Sequence, residues 1–270
     1  MLTYPEIDPV LVSLGPLKVH WYGAMYALAF ILGWWFATYR AKQPNSGWNT
    51  EEISDFVFFV ALGVVLGGRV GYVLFYNFPE FISNPLMLFK VWQGGMSFHG
   101  GVLGVMLAMY MYARKTKRPF LGVLDYVGPF IPAGLFTGRV GNFINAELWG
   151  KPTDVPWGMV FPNGGPLPRH PSMLYEAFLE GIVLFVVLWL FSSKSRPLGA
   201  VSGLGLMLYG VFRFLVEFVR IPDEHMGDGG YLAFGWLTMG QVLSVPMILG
   251  GAWLLWRAYQ SPATVAKQAK

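Results

Sequence analysis

Long apolar stretches, separated by short polar segments, run along the whole chain of 270 residues. Seven of them come close to the about 20 residues that an α-helix needs to cross a bilayer. The pattern therefore predicts an all-α polytopic membrane protein with a single integral membrane domain, residues 1–270. The predicted spans are approximately 19–39, 56–76, 95–113, 120–138, 173–191, 198–219 and 234–256.

Two segments between the predicted spans are more than simple connections. Residues 78–90 are apolar but short and interrupted by prolines, so we expect them to lie flat in the membrane interface. Residues 139–172 are too long and too rich in turn-forming residues for an ordinary connection. They are predicted to form a small cap on the extracytoplasmic side.

Lysine and arginine are unevenly distributed between the two sets of loops. Eleven fall in the loops after the first, third and fifth spans and in the C-terminal tail, against six on the other side. Loops rich in these residues stay in the cytoplasm. The N-terminus is therefore predicted to lie outside and the C-terminus inside.

The composition agrees with a membrane protein and excludes several kinds of site. Charged residues make up 13% of the chain, whereas soluble domains carry about 25%. The net charge of +4 favours contact with anionic lipid, and no basic tract suggests nucleic-acid binding. The chain has no cysteine, which excludes disulfides, thiolate metal sites and a cysteine nucleophile. The four histidines form no paired ligand motif, so we expect neither metal nor cofactor.

Glycines recur at four-residue spacing inside three of the predicted spans. Small residues at this spacing allow helices to approach closely. We interpret them as packing positions rather than ligand contacts. They are Gly63, Gly67 and Gly71, then Gly100 and Gly104, then Gly134 and Gly138.

Polar residues in the spans share one depth. At a rise of about 1.5 Å per residue, Arg69 and Arg213 lie about 10 Å, and His99 about 6 Å, from the outer ends of their spans. Charges inside a span usually face the protein interior or a wet cavity. A shared polar cavity is therefore predicted in the outer half of the bilayer. Tyr22, Arg139, Glu176 and Glu180 lie near the same level, and Asp125 is the exception, near the cytoplasmic end.

Arginine is in excess in this predicted cavity. Its planar guanidinium matches the geometry of phosphate and stays charged when partly buried. The expected guest is an anionic lipid headgroup from the outer leaflet. Arg69 is interpreted as more structural than functional.

The segment 138–150, GRVGNFINAELWG, gathers polar residues and glycines where the fourth span is predicted to leave the lipid. Arg139 can hold phosphate, Asn142 can donate to phosphate or glycerol oxygens or brace the loop, and Glu147 can pair with an arginine. Glycines such as Gly150 permit tight turns and close approach. The alternative is a rigid turn whose polar groups only satisfy the loop backbone.

Tyr209, Arg213, Glu217 and Arg220 are spaced to form one polar stripe on the sixth span. Arg213 and Glu217 can form a structural ion pair, or Glu217 can orient Arg213 toward a ligand, and both roles can hold together.

His99 lies in the segment GGMSFHGG. It is either an interior residue whose hydrogen bonds are all made within the protein, or a general base, for which histidine is suited near neutral pH. Its depth and its glycine neighbours favour the base.

Six motifs resemble, in the same order, those of the prolipoprotein diacylglyceryl transferase family of bacterial inner membranes. The resemblance covers essentially the whole chain, and its longest motif is GRVGNFINAELWG. The others are HWYG (20–23), GGRVGYVLFYN (67–77), GGMSFHGG (94–101), LPRHPSMLYE (167–176) and YGVFRFLVEFVRIPD (209–223).

The resemblance implies a reaction and a set of residues. A diacylglyceryl group would pass from phosphatidylglycerol to the lipobox cysteine of a preprolipoprotein, giving a thioether and glycerol 1-phosphate. The active site would face the outer leaflet. Arg139 and Arg213 resemble the family's essential arginines, and His99 its proposed base. The predicted substrate-binding residues are Tyr22, Arg139, Asn142, Glu147, Gly150, Tyr209, Arg213 and Glu217.

The substrate supplies the thiol, so an enzyme without cysteine presents no difficulty. Whether His99 or the field of the arginines activates that thiol stays open. The main alternative is a transporter or channel for an anionic solute, against which the single polar layer and the lack of an internal repeat argue. A lipoprotein scaffold or insertase is a third possibility, but it would not need a histidine and two arginines at one depth.

Overall fold

The computed structural model describes residues 2–15, 17–44, 46–90, 94–222 and 229–260. The tail residues Lys267 and Lys270, which contribute to the predicted orientation, lie outside these ranges, as does His225. The described part of the chain is mainly helical.

The helices are α1 (Trp21–Ala41), α2 (Thr50–Tyr76), α3 (Phe78–Ser83), α4 (Phe98–Lys115), α5 (Phe120–Val127), α6 (Ile131–Ile144), α7 (Ser172–Glu176), α8 (Leu184–Phe191), α9 (Ala200–Val216) and α10 (Met239–Gln260). A 3-10 helix covers Pro85–Phe89, and a π-helical segment, Ala177–Val183, joins α7 to α8. Strand β1 (Leu2–Thr3) pairs in parallel with β4 (Met159–Val160), and β2 (Val10–Leu14) pairs antiparallel with β3 (Leu17–His20).

Three helices in the described ranges are long and apolar enough to cross a membrane, namely α2, the continuous helix Ser172–Phe191 and α10. The pair α5 and α6 adds a fourth if it counts as one span, although its helices are bent by 51°. The other predicted spans fall on α1, α4 and α9. Three or four membrane-capable helices are thus observed, and the total of seven stays a prediction.

The predicted span 120–138 is two helices rather than one continuous helix. Pro132 lies at the start of α6, where its missing amide hydrogen and fixed φ are tolerated, but it would interrupt a helix interior. The chain therefore breaks before α6, which then continues to Ile144. As a result Arg139 and Asn142 lie on a helix, and the expectation that the helix ends at residue 138 is wrong.

Two compact units make up the chain, Met1–Gly33 with Asp125–Lys270, and Trp34–Leu124. In the second unit, α2 and α4 pack through their glycines. A Cβ on Gly63 would lie 2.6 Å from the carbonyl oxygen of Gly104, and one on Gly71 would lie 2.7 Å from Cα of Gly100. The predicted packing role of these glycines is confirmed. At Gly138, in contrast, no described residue crowds the corresponding position.

In the first unit, the segment that follows α6 folds over the N-terminal strand. Tyr4 is buried against Phe161 and Met173, and its hydroxyl donates to the carbonyl of Ile144 at 2.7 Å. The residues predicted as a cap therefore share a small hydrophobic core with Tyr4 and Met173, which fixes the chain where it leaves α6.

Asp125, the acidic residue expected at the opposite level from the others, caps α9. Its carboxylate accepts hydrogen bonds from the amides of Gly199 at 2.6 Å and Ser202 at 2.8 Å, and from the Ser202 hydroxyl at 2.6 Å. Amides at a helix start lack partners within the helix and carry partial positive charge, so a carboxylate there is stabilising. Asp125 is therefore a structural residue.

Candidate active site

A buried carboxylate, Glu176 on α7, collects three arginines around it. The guanidinium of Arg139, from α6, forms an ion pair with Oε2 of Glu176. On the other oxygen, Oε1, Nη1 of Arg220 lies at 2.6 Å and Nη1 of Arg213 at 3.5 Å. Together with Glu217 we call these residues the Glu176 cluster.

Glu217, just after α9, is the second carboxylate of the Glu176 cluster. Its Oε2 lies 2.7 Å from Nη1 of Arg213 and 3.5 Å from Nε of Arg220. Its Oε1 accepts a hydrogen bond from the buried hydroxyl of Thr238 at 3.0 Å. Gly240 lets the start of α10 approach, because a Cβ there would lie 2.6 Å from the carboxylate. The predicted Arg213–Glu217 pair is confirmed, and Thr238 orients it from a third element.

The arginines of the Glu176 cluster keep an exposed edge while the carboxylates do not. Their side chains are 15–21% exposed, against 1% for Glu176 and 6% for Glu217. Three guanidiniums facing two carboxylates leave one surplus positive charge. An anion that reaches these edges meets fixed donors, because each guanidinium is already held on its other side.

Asn142 connects the Glu176 cluster to a neighbouring cavity. Nη1 of Arg139 donates to Oδ1 of Asn142 at 3.3 Å, and Nδ2 of Asn142 donates to Oε1 of Glu147 at 2.8 Å. Glu147 therefore pairs with an amide, and the expectation of an arginine partner is wrong. Ala146 and Leu148, on either side of it, both have positive φ, at 53° and 60°. Such strain in non-glycine residues persists only where surrounding structure enforces it.

The cavity beyond Glu147 has a volume of about 640 Å³. Tyr22, one of the predicted site residues, lines it and is 38% exposed. The hydroxyl of Tyr22 lies 3.3 Å from that of Tyr26. The lining residues are Pro9, His20, Tyr22, Gly23, Asn145 and Glu147, so polar groups that can meet a glycerol or an ester are present.

Gly150 acts through its backbone. Its amide donates to the carbonyl of His170 at 2.8 Å, and it forms an isolated antiparallel bridge with Arg220. A Cβ there would collide with the carbonyl of Val219 and lie 3.0 Å from Cβ of His170. The absence of a side chain thus lets the cap reach the segment that carries Arg220. Gly150 positions the Glu176 cluster, and contact with substrate is a separate proposal.

Tyr209, on α9, packs beside a hydrophobic cluster rather than in the network of hydrogen bonds. Leu184, Leu188 and Val201 form that cluster, and Tyr209 lies partly buried against it. It also interacts electrostatically with Glu180. Its side chain is therefore next to the charged groups without belonging to an ion pair.

His99 lies in the first turn of α4, in the second compact unit. Its side chain is exposed, and its ring meets the edge of Phe98 at 5.7 Å between centroids. Ser97 caps the helix, because its hydroxyl accepts a hydrogen bond from the amide of Gly100 at 3.2 Å. The role of His99 as a general base stays a prediction. Its place in one cavity with the arginines of the other unit stays a prediction.

Arg69 is committed to backbone carbonyls within its own unit. Its guanidinium donates to the carbonyls of Met87, Leu88, Gly94 and Gly95. These bonds tie the 3-10 helix to the residues before α4. These contacts support the interpretation of Arg69 as structural, which stays a prediction.

Two residues of the Glu176 cluster were not among the predicted site residues. Glu176 and Arg220 were recognised only by their level and their place on a stripe. The sequence does contain a reason to predict Glu176 as a site residue. Buried arginines require acidic partners, and Glu176 lies in the motif LPRHPSMLYE.

Comparison with known proteins identifies close relatives over the whole length. Residues 9–257 match the family described as prolipoprotein diacylglyceryl transferase. Relatives named phosphatidylglycerol–prolipoprotein diacylglyceryl transferase include one from Pseudomonas paraeruginosa, 58% identical over 269 residues and 100% of both chains. One from Nitratidesulfovibrio vulgaris is 59% identical over 97% of this chain and 99% of its own. One from Coxiella burnetii is 57% identical over 96% and 98%.

Proposed function

The chain belongs to the prolipoprotein diacylglyceryl transferase family, and we propose that the Glu176 cluster holds the phosphate of its lipid substrate. The enzyme transfers the diacylglyceryl group of phosphatidylglycerol to a prolipoprotein, the first step of lipoprotein maturation. The observation that carries the site assignment is the set of three partly exposed arginines around one buried carboxylate.

The chemistry needs a place for growing negative charge. The thiolate of the lipobox cysteine attacks the glycerol carbon that bears the phosphate, so a carbon–sulfur bond forms and the carbon–oxygen bond breaks. The electron pair goes to the phosphate, which leaves as glycerol 1-phosphate. Fixed donors stabilise such charge without having to reorganise. Glu176 and Glu217 hold the guanidiniums of Arg139 and Arg213 in this role.

The other predicted residues have roles around this step. Asn142 holds Arg139 toward the phosphate, and Glu147 and Tyr22 contact the glycerol part of the lipid at the neighbouring cavity. Tyr209 forms the apolar side of the site, and Gly150 lets the cap close beside Arg220.

The test of the function is a lipid-dependent shift of a peptide. Purified enzyme is mixed with a peptide that carries a lipobox cysteine and with vesicles of phosphatidylglycerol or of phosphatidylcholine. We expect a slower-migrating, hydroxylamine-resistant product with phosphatidylglycerol only, together with glycerol 1-phosphate. A peptide with serine in place of cysteine is the control. Equal modification by both lipids, or transport of an anion without modification, would refute the assignment.

His99 is proposed as the base that takes the proton of the thiol. A thiol with an ordinary pKa of about 8.5 is mostly protonated at neutral pH. His99→Gln is therefore expected to lower transfer strongly at about pH 7 while phosphatidylglycerol binding stays close to normal. Raising the pH should partly restore the rate, since the thiol then ionises unaided. The measurements are the transfer rate against pH and the lipid affinity.

His170→Gln is the matched control for His99→Gln. Burial and the nearby charge of Lys151 lower the pKa of His170, and its Nδ1 lies 3.2 Å from the hydroxyl of Tyr175. This variant should leave the shape of the pH profile unchanged. Normal turnover of His99→Gln at neutral pH would instead favour activation of the thiol by the arginines.

The topology we propose has seven spans in the bacterial inner membrane, with the N-terminus outside and the active site facing the outer leaflet. The chain has no cysteine, so single cysteines report position cleanly. In spheroplasts, Lys151→Cys should react with a membrane-impermeant maleimide, and Lys117→Cys should react only after the membrane is opened. Labelling of both positions from outside would contradict the orientation.

A further inference from the structure

Glu180 is a buried acid that the proposed chemistry does not use. It lies in the π-helical segment, four residues after Glu176, and its side chain is fully buried. Within the part of the chain that the structure describes, neither of its carboxylate oxygens has a hydrogen-bond partner. Gly181 fixes this segment against α6, because a Cβ there would lie 2.7 Å from Cβ of Phe136. Glu180 therefore cannot turn out to solvent without moving a helix.

The charged and titratable groups that face Glu180 come from every element around it. They are Glu176 on its own helix, Arg139 on α6, Tyr209 and Arg213 on α9, and Arg220 after α9. The arginines are already paired with Glu176 and Glu217. A buried carboxylate without hydrogen bonds is costly to ionise, and a like charge one turn away adds to that cost. The neutral acid is the form that fits this position.

We propose that Glu180 sets the net charge of the Glu176 cluster, and hence its affinity for phosphatidylglycerol, by holding a proton. With Glu180 neutral, three guanidiniums and two carboxylates leave one positive charge, which matches the single negative charge of a phosphodiester. With Glu180 ionised, the surplus is cancelled. The proposal rests on the phosphate-binding role of the cluster, and it makes Glu180 a positioning residue that touches no reacting atom.

The experiment compares phosphatidylglycerol binding by the wild type and by Glu180→Gln. The full chain is held in mixed micelles of detergent and phosphatidylcholine. Glutamine has nearly the same shape and stays neutral. The affinity of Glu180→Gln divided by that of the wild type is expected to be close to one at about pH 6 and to rise to about ten by about pH 9. A carboxyl buried without hydrogen bonds ionises only well above its ordinary range, and only the wild type then gains a unit negative charge near the phosphate. Every other titratable group is the same in both proteins, so its effect cancels in the ratio.

Two further variants make the result specific. Glu180→Leu is also neutral but cannot hydrogen bond, and it should show the same rise. Glu51→Gln removes an exposed carboxylate of the other compact unit, and its ratio to wild type should stay flat. Thermal unfolding, measured at the lowest pH of the binding experiment, checks that each variant is folded.

A flat ratio for Glu180→Gln, or weaker binding than wild type at every pH, would overturn the proposal. Its failure is distinguishable from failure of the proposed function. If the wild type does not prefer phosphatidylglycerol over phosphatidylcholine, or if alanine at Arg139 and Arg213 leaves that preference intact, the phosphate site itself is wrong. If the preference is present and depends on these arginines while the Glu180 ratio is flat, only the role of Glu180 is wrong.

Discussion

Replacing Glu176 by glutamine is expected to lower the free energy of unfolding by about 3–5 kcal/mol, because it removes one partner of several buried ion pairs. Arg139, Arg213 and Arg220 would lose their common carboxylate while remaining mostly buried. The transfer rate per folded molecule should also collapse, since the guanidiniums lose their fixed positions. The measurements are thermal unfolding in detergent and the transfer rate of the folded fraction.

Glu52→Gln is the matched control, since it also removes a glutamate from an ion pair with an arginine. Glu52 lies 2.8 Å from Nη2 of Arg118, but the two side chains are 30% and 23% exposed. The carboxylate of Glu52 is reached by water, whereas that of Glu176 is 1% exposed, and pairs open to solvent contribute only about 0–1 kcal/mol. This variant should therefore lose much less stability than Glu176→Gln and transfer normally. An equal loss of stability in both variants would show that burial of the Glu176 cluster does not have the importance we give it.

Arg139→Lys and Arg213→Lys are expected to reduce the transfer rate about a hundred- to a thousandfold, as for removal of one electrostatic donor at a transition state. Lysine keeps the charge but loses the planar fork that can grip two phosphate oxygens while a carboxylate holds the other edge. Interactions made mainly in the transition state lower turnover more than substrate affinity. Both variants should therefore fold and bind phosphatidylglycerol. The measurements are the peptide modification rate and the lipid affinity of each.

Arg69→Lys separates this effect from loss of any buried arginine. Arg69 donates to four carbonyls, and one ammonium group cannot reach all of them. The variant should unfold more easily, yet its folded fraction should transfer at a nearly normal rate. Near-normal rates for both Arg139→Lys and Arg213→Lys, or loss of folding before loss of activity, would contradict the phosphate clamp.

Helical periodicity explains what could be predicted of the site. Arg213 and Glu217 are four residues apart, and helix geometry alone brings such a pair together, which is why their ion pair is found as predicted. Glu176 meets Arg213 and Arg220 across 37 and 44 residues of sequence. Those contacts depend on how α7 packs against α9, and no local pattern contains them.

The backbone conformation explains why Glu147 pairs with Asn142 and not with the predicted arginine. Left-handed backbone at Ala146 and Leu148 turns the chain after α6. Alanine and leucine rarely adopt this conformation, so the sequence does not predict the turn.

The start of α2 at Thr50, rather than at residue 56, could have been predicted from the sequence. Asn49 and Glu52 form a capping box, with 2.7 Å from the amide of Glu52 to Oδ1 of Asn49. A polar first turn extends the helix beyond its apolar stretch.

The two ends of α9 are fastened to different parts of the first unit. Asp125 binds the amides at its start, and Thr238 binds Glu217 at its end. Between them run 17 residues, about 26 Å of helix. If α9 moved along its axis or rotated about it by one residue, the hydrogen bonds of Asp125 or of Thr238 would break. Arg213 is therefore held at a fixed level along α9, so the phosphate site that we propose would favour lipids whose headgroup lies at that depth.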